Sequence, residues 1–307
     1  MSADKTGKFG KLQGILKSAM HSLSEYCTEH LPREERQNAR KIFPGRLPHE
    51  RFIDRDIFHA WLYFRHKITF PAGDETADGS SPSSVGRRYL TGPGTRADAR
   101  QKALILKACE TPFRFFTVLH TEGESCQIVD TWTGGILNIA GGQMRISRSH
   151  EVLFGQALTF DDVSLFTHRP VAIPLDPRNE EQIAGFLRNM HRLANSVAML
   201  EQAQDRENQK IILENQLFML ARQYLSGHGS DKAGQFTPAA GLELIFEAGE
   251  GRLPDVNDAG AWFSGHVTLK SGNDQLLAQC DSLSSAIRFI HALRGMPLRL
   301  AGVRIAG

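Results

Sequence analysis

The stretch that decides the fold is residues 112–120, PFRFFTVLH, together with residues 126–135, CQIVDTWTGG. Both runs are rich in aromatic and β-branched residues, which favour strands. Gly134 and Gly135 accept a positive φ without steric cost, so this pair predicts a hairpin turn. Five short runs of this kind predict a small antiparallel β-barrel or a strongly bent sheet. The expected strands are 113–120, 126–132, 136–140, 144–147 and 157–166.

The chain before these strands has helical patterns. Apolar residues recur every three or four positions over 9–26, and a second helix is expected after Pro32. Residues 50–67 carry a broad apolar face and predict a largely buried helix. Residues 71–94 are rich in Gly, Ser, Asp and Pro, so we expect a mobile loop there. A charged helix is expected at 96–109.

A heptad pattern marks the region after the strands. Residues 178–226 predict one long helix, with a hairpin that breaks near Gln204 as the alternative. The apolar seam can be covered by self-association, which would make a coiled-coil homodimer, or by packing inside one chain. The sequence leaves both outcomes open. The seam residues are Ile183, Phe186, Met190, Leu193, Val197 and Leu200.

The C-terminal residues combine strand and helix signals. Strands are expected at 242–247, 261–270, 275–280 and 298–305. A helix is expected from a cap at Asp281 or Ser282 to Arg294. The tail is thus expected to be a small α/β domain, and the whole chain an α+β protein. The expected parts are N-terminal helices at 1–48, a helix with the barrel-like module at 49–177, the long helix at 178–226 and the tail at 236–307.

Composition argues against several protein classes. The 36 Lys and Arg against 34 Asp and Glu give a net charge of +2, which does not favour nucleic acid or an anionic membrane over the whole surface. No apolar stretch is long enough for a membrane span or a signal-peptide core. We expect a cytoplasmic protein without membrane contact, cofactor or metal. The cysteines lack C-x-x-C spacing and are expected to be structural: Cys27, Cys109, Cys126 and Cys280.

One family resemblance covers residues 58–174. Its features, in order, are an aromatic helix, a loop, Tyr89-Leu90, a charged helix, the strands described above and Phe154-Gly155-Gln156. An Asp-x-x-Thr-Gly turn lies between two of the strands, at Asp130, Thr133 and Gly134. This order resembles a module in bacterial proteins that carry a SEC-C zinc motif. The resemblance implies a small β-barrel with an accessory or binding role. The closely spaced zinc ligands are absent here, so it implies no metal.

The best cluster for chemistry lies on the helix expected at 50–67. Asp54, Asp56, His59 and His66 are spaced so that several share one face, as metal ligands or an acid and a base would require. An exposed polar stripe on an apolar helix has the same composition, and we favour that interpretation. A metal-assisted hydrolase that uses these four residues is the alternative function.

A basic and aromatic face is the other candidate. Arg145 and Arg148 are its central residues. A surface that combines basic and aromatic side chains is typical of proteins that bind single-stranded nucleic acid. Against this, aromatic residues of a small barrel usually form its core. The other members of the face are Lys102, Lys107, Phe115, Phe116 and Trp132.

Known catalytic motifs are missing from the sequence. The turn around Ser125 lacks the second glycine of a nucleophile elbow, and no glycine pair has the context of a P-loop or a dinucleotide site. The sequence therefore favours a non-enzymatic accessory or binding protein of a bacterial cytoplasm, acting through protein or nucleic-acid contacts.

Overall fold

The structure is a computed structural model. It describes residues 3–47, 53–68, 82–122, 125–139, 152–160, 163–176, 178–202, 205–226, 241–248, 266–272 and 275–305. These residues form eight α-helices and two sheets, which confirms the α+β class.

Five helices precede the first strand. Their bounds are α1 Ala3–His30, α2 Arg33–Ile42, α3 Arg55–Phe64, α4 Val85–Thr91 and α5 Ala99–Glu110, with a 3-10 turn at Pro93–Arg96. Helix α3 is shorter than predicted, because Asp54 is extended and its carboxylate accepts hydrogen bonds from the amides of Asp56 and Ile57, at 2.6 and 3.2 Å. That cap fixes the start of the helix.

Helix α4 corrects the prediction of a loop over 71–94. The Ser84 hydroxyl caps it by accepting a hydrogen bond from the amide of Arg87, at 3.3 Å. A Cβ at Gly86 would lie 2.9 Å from the Cys109 sulfur, so the glycine allows α4 to pack closely on α5. Tertiary packing therefore overrides a loop-like composition. Residues 71–81 lie outside the described residues.

A curled seven-stranded sheet follows. Its order is β5-β6-β3-β2-β1-β4-β7, and every pair is antiparallel except β3 with β6. Gln156 alone separates β4 from β5, although the two strands lie toward opposite ends of the sheet, so the sheet must curl. The strands are β1 Arg114–Glu122, β2 Ser125–Asp130, β3 Ile136–Ile139, β4 Val152–Gly155, β5 Ala157–Phe160, β6 Val163–Phe166 and β7 Val171–Ile173.

The two faces of the curled sheet belong to different apolar clusters. Phe115 joins the main core and its neighbour Phe116 a smaller one, as expected for successive residues of a strand. The predicted bent sheet is thus confirmed, with two differences. Residues 157–166 form two strands instead of one, and β4 and β7 were not predicted. The strand predicted at 144–147 lies outside the described residues. The smaller cluster contains Phe116, Cys126, Ile128, Ile139, Leu153, Ala157 and Phe166.

Two helices, α6 Glu180–Gln202 and α7 Arg206–Ser226, replace the single long helix that we predicted. They contact each other and only three residues connect them, so they run antiparallel. Helix α6 also packs on α8 and β11, defined below. All six seam residues are therefore buried inside one chain, between 0% and 5% exposed. They are not available as the apolar interface of the expected coiled-coil homodimer. These residues are Ile183, Phe186, Met190, Leu193, Val197 and Leu200.

The tail is a four-stranded antiparallel sheet with one helix, as predicted. Its order is β11-β8-β10-β9. The bounds are β8 Leu242–Ala248, β9 Val267–Gly272, β10 Gln275–Cys280, α8 Leu283–Ala292 and β11 Leu298–Ile305. Ser282 is the N-cap of α8 and accepts a hydrogen bond from the amide of Ser285, at 3.2 Å.

One apolar core runs through all of these parts, from Phe9 to Val303. His291 of α8 joins the tail to the curled sheet, because its Nε2 donates a 2.6 Å hydrogen bond to the Thr131 carbonyl. The division into four parts stays a prediction. Among the described residues, no helix is both long and apolar enough to cross a membrane.

We expect Gly134→Ala to destabilise the protein more than Gly295→Ala does. Both glycines have a left-handed φ, +73° and +78°, so alanine costs each about 1–2 kcal/mol. A Cβ at Gly134 would also lie 2.6 Å from the Cβ of His291, whereas Gly295 has open space. Overpacking adds roughly 1–3 kcal/mol at Gly134 alone. Urea unfolding of both variants measures the difference, and equal losses would contradict this close approach.

Candidate functional site

The predicted cluster of Asp54, Asp56, His59 and His66 lies within the described residues and is not arranged to hold a metal ion. Asp54 is the cap of α3. The His59 ring stacks on Tyr63 with 6.0 Å between ring centroids, and the His66 ring stacks on Trp61 at 4.5 Å. Within the described ranges, no three His, Cys, Asp or Glu side chains are placed to hold a metal ion. The metal-assisted hydrolase therefore lacks its metal ligands in this part of the chain.

The two histidines of that cluster favour the neutral form. Burial lowers the pKa of His59, and the nearby Arg55 lowers it further. Burial lowers the pKa of His66 to about 4. At neutral pH, His66 therefore presents an uncharged aromatic ring that lies against Trp61.

The predicted nucleic-acid face is described only in part, because its two central arginines lie outside the described residues. Phe115 and Phe116 are fully buried. Lys107 donates to the Thr159 carbonyl, and its Nζ lies 4.9 Å from the centre of the Phe160 ring. Both contacts hold the lysine within the chain. The aromatic residues thus serve the core. Arg145 and Arg148 lie outside the described residues. Lys102 donates to the Thr95 carbonyl at 2.7 Å. Trp132 is buried.

The Asp-x-x-Thr-Gly residues make a turn that is held from within. The Asp130 carboxylate accepts hydrogen bonds from the Trp132 amide at 2.8 Å and from the Thr133 hydroxyl at 3.1 Å. It also pairs with Arg114 at 2.8 Å, with both side chains largely buried. Gly134 donates its amide to the Asp130 carbonyl at 2.7 Å. These contacts use the carboxylate for structure, so the turn is a framework element.

The four cysteines are free and buried: Cys27, Cys109, Cys126 and Cys280. Burial raises the pKa of each thiol, to about 11 for Cys27 and about 12 for Cys280. A thiol with such a pKa is a poor nucleophile at neutral pH. The structure therefore supports the prediction that they are structural.

A cavity that we did not predict lies between α2, α3 and α7. Its volume is about 620 Å³. Among the described residues that line it, five have cationic side chains and one, Glu214, has a carboxylate. We call it the basic cavity. Its lining residues are Lys41, Ile42, Phe43, Pro44, Arg46, Trp61, Arg65, His66, Lys67, Ile211, Glu214, Asn215, Met219 and Arg222.

A buried ion pair lies in the wall of the basic cavity. The Arg65 Nε donates to both Glu214 oxygens, at 3.1 and 2.9 Å, and the side chains are only 5% and 3% exposed. Glu214 also accepts the Phe113 amide at 2.8 Å, and Arg65 Nη1 donates to the Cys109 carbonyl at 2.5 Å. Burial raises the pKa of the Glu214 carboxyl, while Arg65 and the Phe113 amide oppose the rise.

The pair leaves one strong donor unused. Arg65 Nη2 is buried and has no hydrogen-bond partner. A buried donor without a partner costs free energy. Glu214 already accepts hydrogen bonds from Arg65 and from the Phe113 amide, and it is the one carboxylate among the described residues that line the cavity. The basic cavity therefore has the charge of an anion site.

Two sequence signals pointed to this cavity, but neither was sufficient. Arg65-His66-Lys67 is a basic run directly after an apolar helix, and Lys41 with Arg46 flanks Pro44. Their common location depends on α7, which supplies Arg222 and Glu214 from about 150 residues further along the chain. Spacing along the sequence carries no information on that contact.

No protein-family model matches the chain, and comparisons with curated proteins and with solved structures find no significant match. The resemblance to SEC-C-associated proteins accordingly stays a prediction.

We expect Glu214→Gln to destabilise the protein by about 3–5 kcal/mol, because it leaves the Arg65 charge buried without a counter-ion. The matched control is Glu207→Gln, which removes a partly exposed pair with Lys210 and should cost less than about 1 kcal/mol. The double variant Arg65→Met with Glu214→Leu should lose less than Glu214→Gln, since it removes both charges. Urea unfolding at neutral pH measures all three. Equal losses for Glu214→Gln and Glu207→Gln would contradict the buried pair.

Acid should destabilise the protein partly through His66. Its pKa is 6.5 when free and about 4 in the fold, so its contribution is fully present above about pH 6.5 and is lost as the pH falls toward 4. We expect His66→Gln to reduce the loss in unfolding free energy between about pH 7 and about pH 4.5. His21→Gln, at an exposed histidine of α1, should follow the wild-type curve. Parallel curves for wild type and His66→Gln would contradict the buried, neutral ring.

Proposed function

We propose that this protein is a non-enzymatic accessory protein that binds a phosphate-bearing small molecule in the basic cavity. The observation that carries the proposal is the charge of the cavity. Lys41, Lys67 and Arg222 line it in addition to Arg46 and to Arg65, and Arg65 pairs with Glu214, the one carboxylate among the described lining residues. An excess of positive charge around one hollow is costly unless an anion or solvent compensates it.

The size and the chemistry of the walls support this ligand class. A volume of about 620 Å³ lies within the range of small-molecule sites. Arginine and lysine are the usual partners of phosphate oxygens. Phe43 and Trp61 supply apolar surface in the same cavity, with the His66 ring stacked on Trp61. A ligand with a phosphate group and a flat apolar part would use both kinds of wall.

The accessory role and the cellular location belong to the same proposal. The resemblance to a bacterial SEC-C-associated module supports a binding role. Four buried free thiols support a reducing compartment such as the cytoplasm. The metal-assisted hydrolase and the dimer through the α6 seam are not part of the proposal, because the structure gives their residues other roles.

We expect inorganic pyrophosphate, used as the probe, to bind the wild-type protein and to bind Lys41→Gln and Lys67→Gln roughly tenfold more weakly each, since each variant loses one charged contact. Lys17→Gln, at an exposed lysine of α1, should bind like the wild type. Isothermal titration calorimetry at low salt measures the affinities.

Two outcomes would contradict the proposal. One is equal pyrophosphate affinity for the wild type and the Lys41→Gln, Lys67→Gln double variant. The other is an affinity for a twelve-residue oligothymidylate that far exceeds that for pyrophosphate and is reduced by the same variants, which would identify a nucleic-acid strand as the ligand.

A further inference from the structure

A second hollow runs along the outer side of the α6–α7 pair. Its volume is about 760 Å³. The buried Leu193 and Leu217 form its floor, and half-buried Leu213 and Leu220 its sides. We call it the α6–α7 groove. The lining residues are Asn189, Arg192, Leu193, Ser196, Leu213, Gln216, Leu217, Met219, Leu220, Arg222, Gln223 and Ser226.

Exposed apolar side chains are frequent on the two helices that form this groove. Six large hydrophobic residues are exposed in the part of the chain that the structure describes, and three of them belong to α6 and α7: Met199 at 72%, Ile212 at 56% and Met219 at 55%. Met219 lines the groove itself, and an exposed apolar residue in an apolar groove is typical of an interaction surface.

The described residues that line the groove carry charge of one sign. Arg192 and Arg222 are the charged residues among them, and none of them is acidic. Arg222 also lines the basic cavity, which adjoins the groove at Met219 and Arg222. We propose that the α6–α7 groove binds an acidic amphipathic helix of a partner protein, with the apolar face of that helix on the leucines and its carboxylates toward the arginines.

Helix geometry supports this kind of partner. Both walls of the groove are α-helices, whose interior backbone groups are already hydrogen-bonded, so an extended peptide has no free strand edge to join. The lining residues of α7 extend from Leu213 to Ser226, about 20 Å at 1.5 Å per residue. A partner helix of three to four turns has this length, and it would pack as a third helix in the groove between two others.

Charge distinguishes this partner from a second copy of the chain. A two-fold dimer through the same groove would bring together two surfaces of the same positive charge, with no carboxylate among their described lining residues. An acidic helix instead completes ion pairs at the rim. The proposal is independent of the ligand in the basic cavity, since Arg192 and Ser196 line the groove alone.

The test uses the full-length protein and two synthetic peptides. The first is a fluorescein-labelled helical peptide of about 14 residues, with leucine on one face and glutamate on the flanks, and in the second lysine replaces every glutamate. Fluorescence anisotropy at low salt should show the acidic peptide binding at least about tenfold tighter than the basic one.

Matched variants locate the binding. Ser196→Glu places a carboxylate in the groove and should reduce the affinity for the acidic peptide roughly tenfold. Ser196→Gln introduces an uncharged side chain of the same size as glutamate and should reduce that affinity little. Met219→Ser should also weaken binding, while Leu106→Ser, at an exposed leucine of α5 that is 42% exposed, should not. Circular dichroism melts confirm that the variants fold. Pyrophosphate affinity should be unchanged in Ser196→Glu, so failure of this proposal is distinguishable from failure of the basic cavity.

Three outcomes would overturn the proposal. One is equal binding of the acidic and basic peptides. Another is equal acidic-peptide affinity for Ser196→Glu and Ser196→Gln. The third is a wild-type dimer in sedimentation that Met219→Ser dissociates, because a second copy would then cover the groove.

Discussion

The buried ion pair between Arg65 and Glu214 is the contact on which the arrangement of the parts depends. It joins the end of α3 to α7, and its further hydrogen bonds reach the Cys109 carbonyl and the Phe113 amide. Glu214 accepts from two donors and Arg65 donates to two acceptors, so the distance between these elements has little freedom. The pair also places Arg65 in the wall of the basic cavity. The same contact that organises the helices therefore shapes the candidate site.

Much of the fold could be predicted where the signals are local. The bounds of β10 and β11 agree with the prediction, and Ser282 caps α8 where a cap was expected. In these segments, the hydrophobic periodicity and the capping residue both lie within one short stretch of sequence. Helix α4 was missed because its stability comes from Gly86 packing on Cys109, a contact that composition does not show. The break between α6 and α7 was kept only as an alternative, because residues 204–208 carry no turn signature.

The candidate site could not be predicted because its parts meet only through tertiary contacts. Glu214 lies on a helix whose partner residue, Arg65, is 149 positions away. The residues that the sequence favoured have local roles instead. Asp54 caps its own helix, and His66 stacks on Trp61 five positions before it. Spacing on one helix detects a shared face, but it does not distinguish a ligand set from caps and stacked rings.

Helix α7 explains why two hollows lie side by side. Phe218 and Ala221 face the core, Leu213 and Leu220 face the α6–α7 groove, and Glu214 faces the basic cavity. Apolar residues thus occur on several sides of the helix, a pattern typical of a helix that is covered all round. The described chain covers only part of it and leaves Ile212 and Met219 exposed. Since Arg222 and Met219 line both hollows, the exposed ridge of α7 is shared by the anion site on one side and the helix-binding groove on the other.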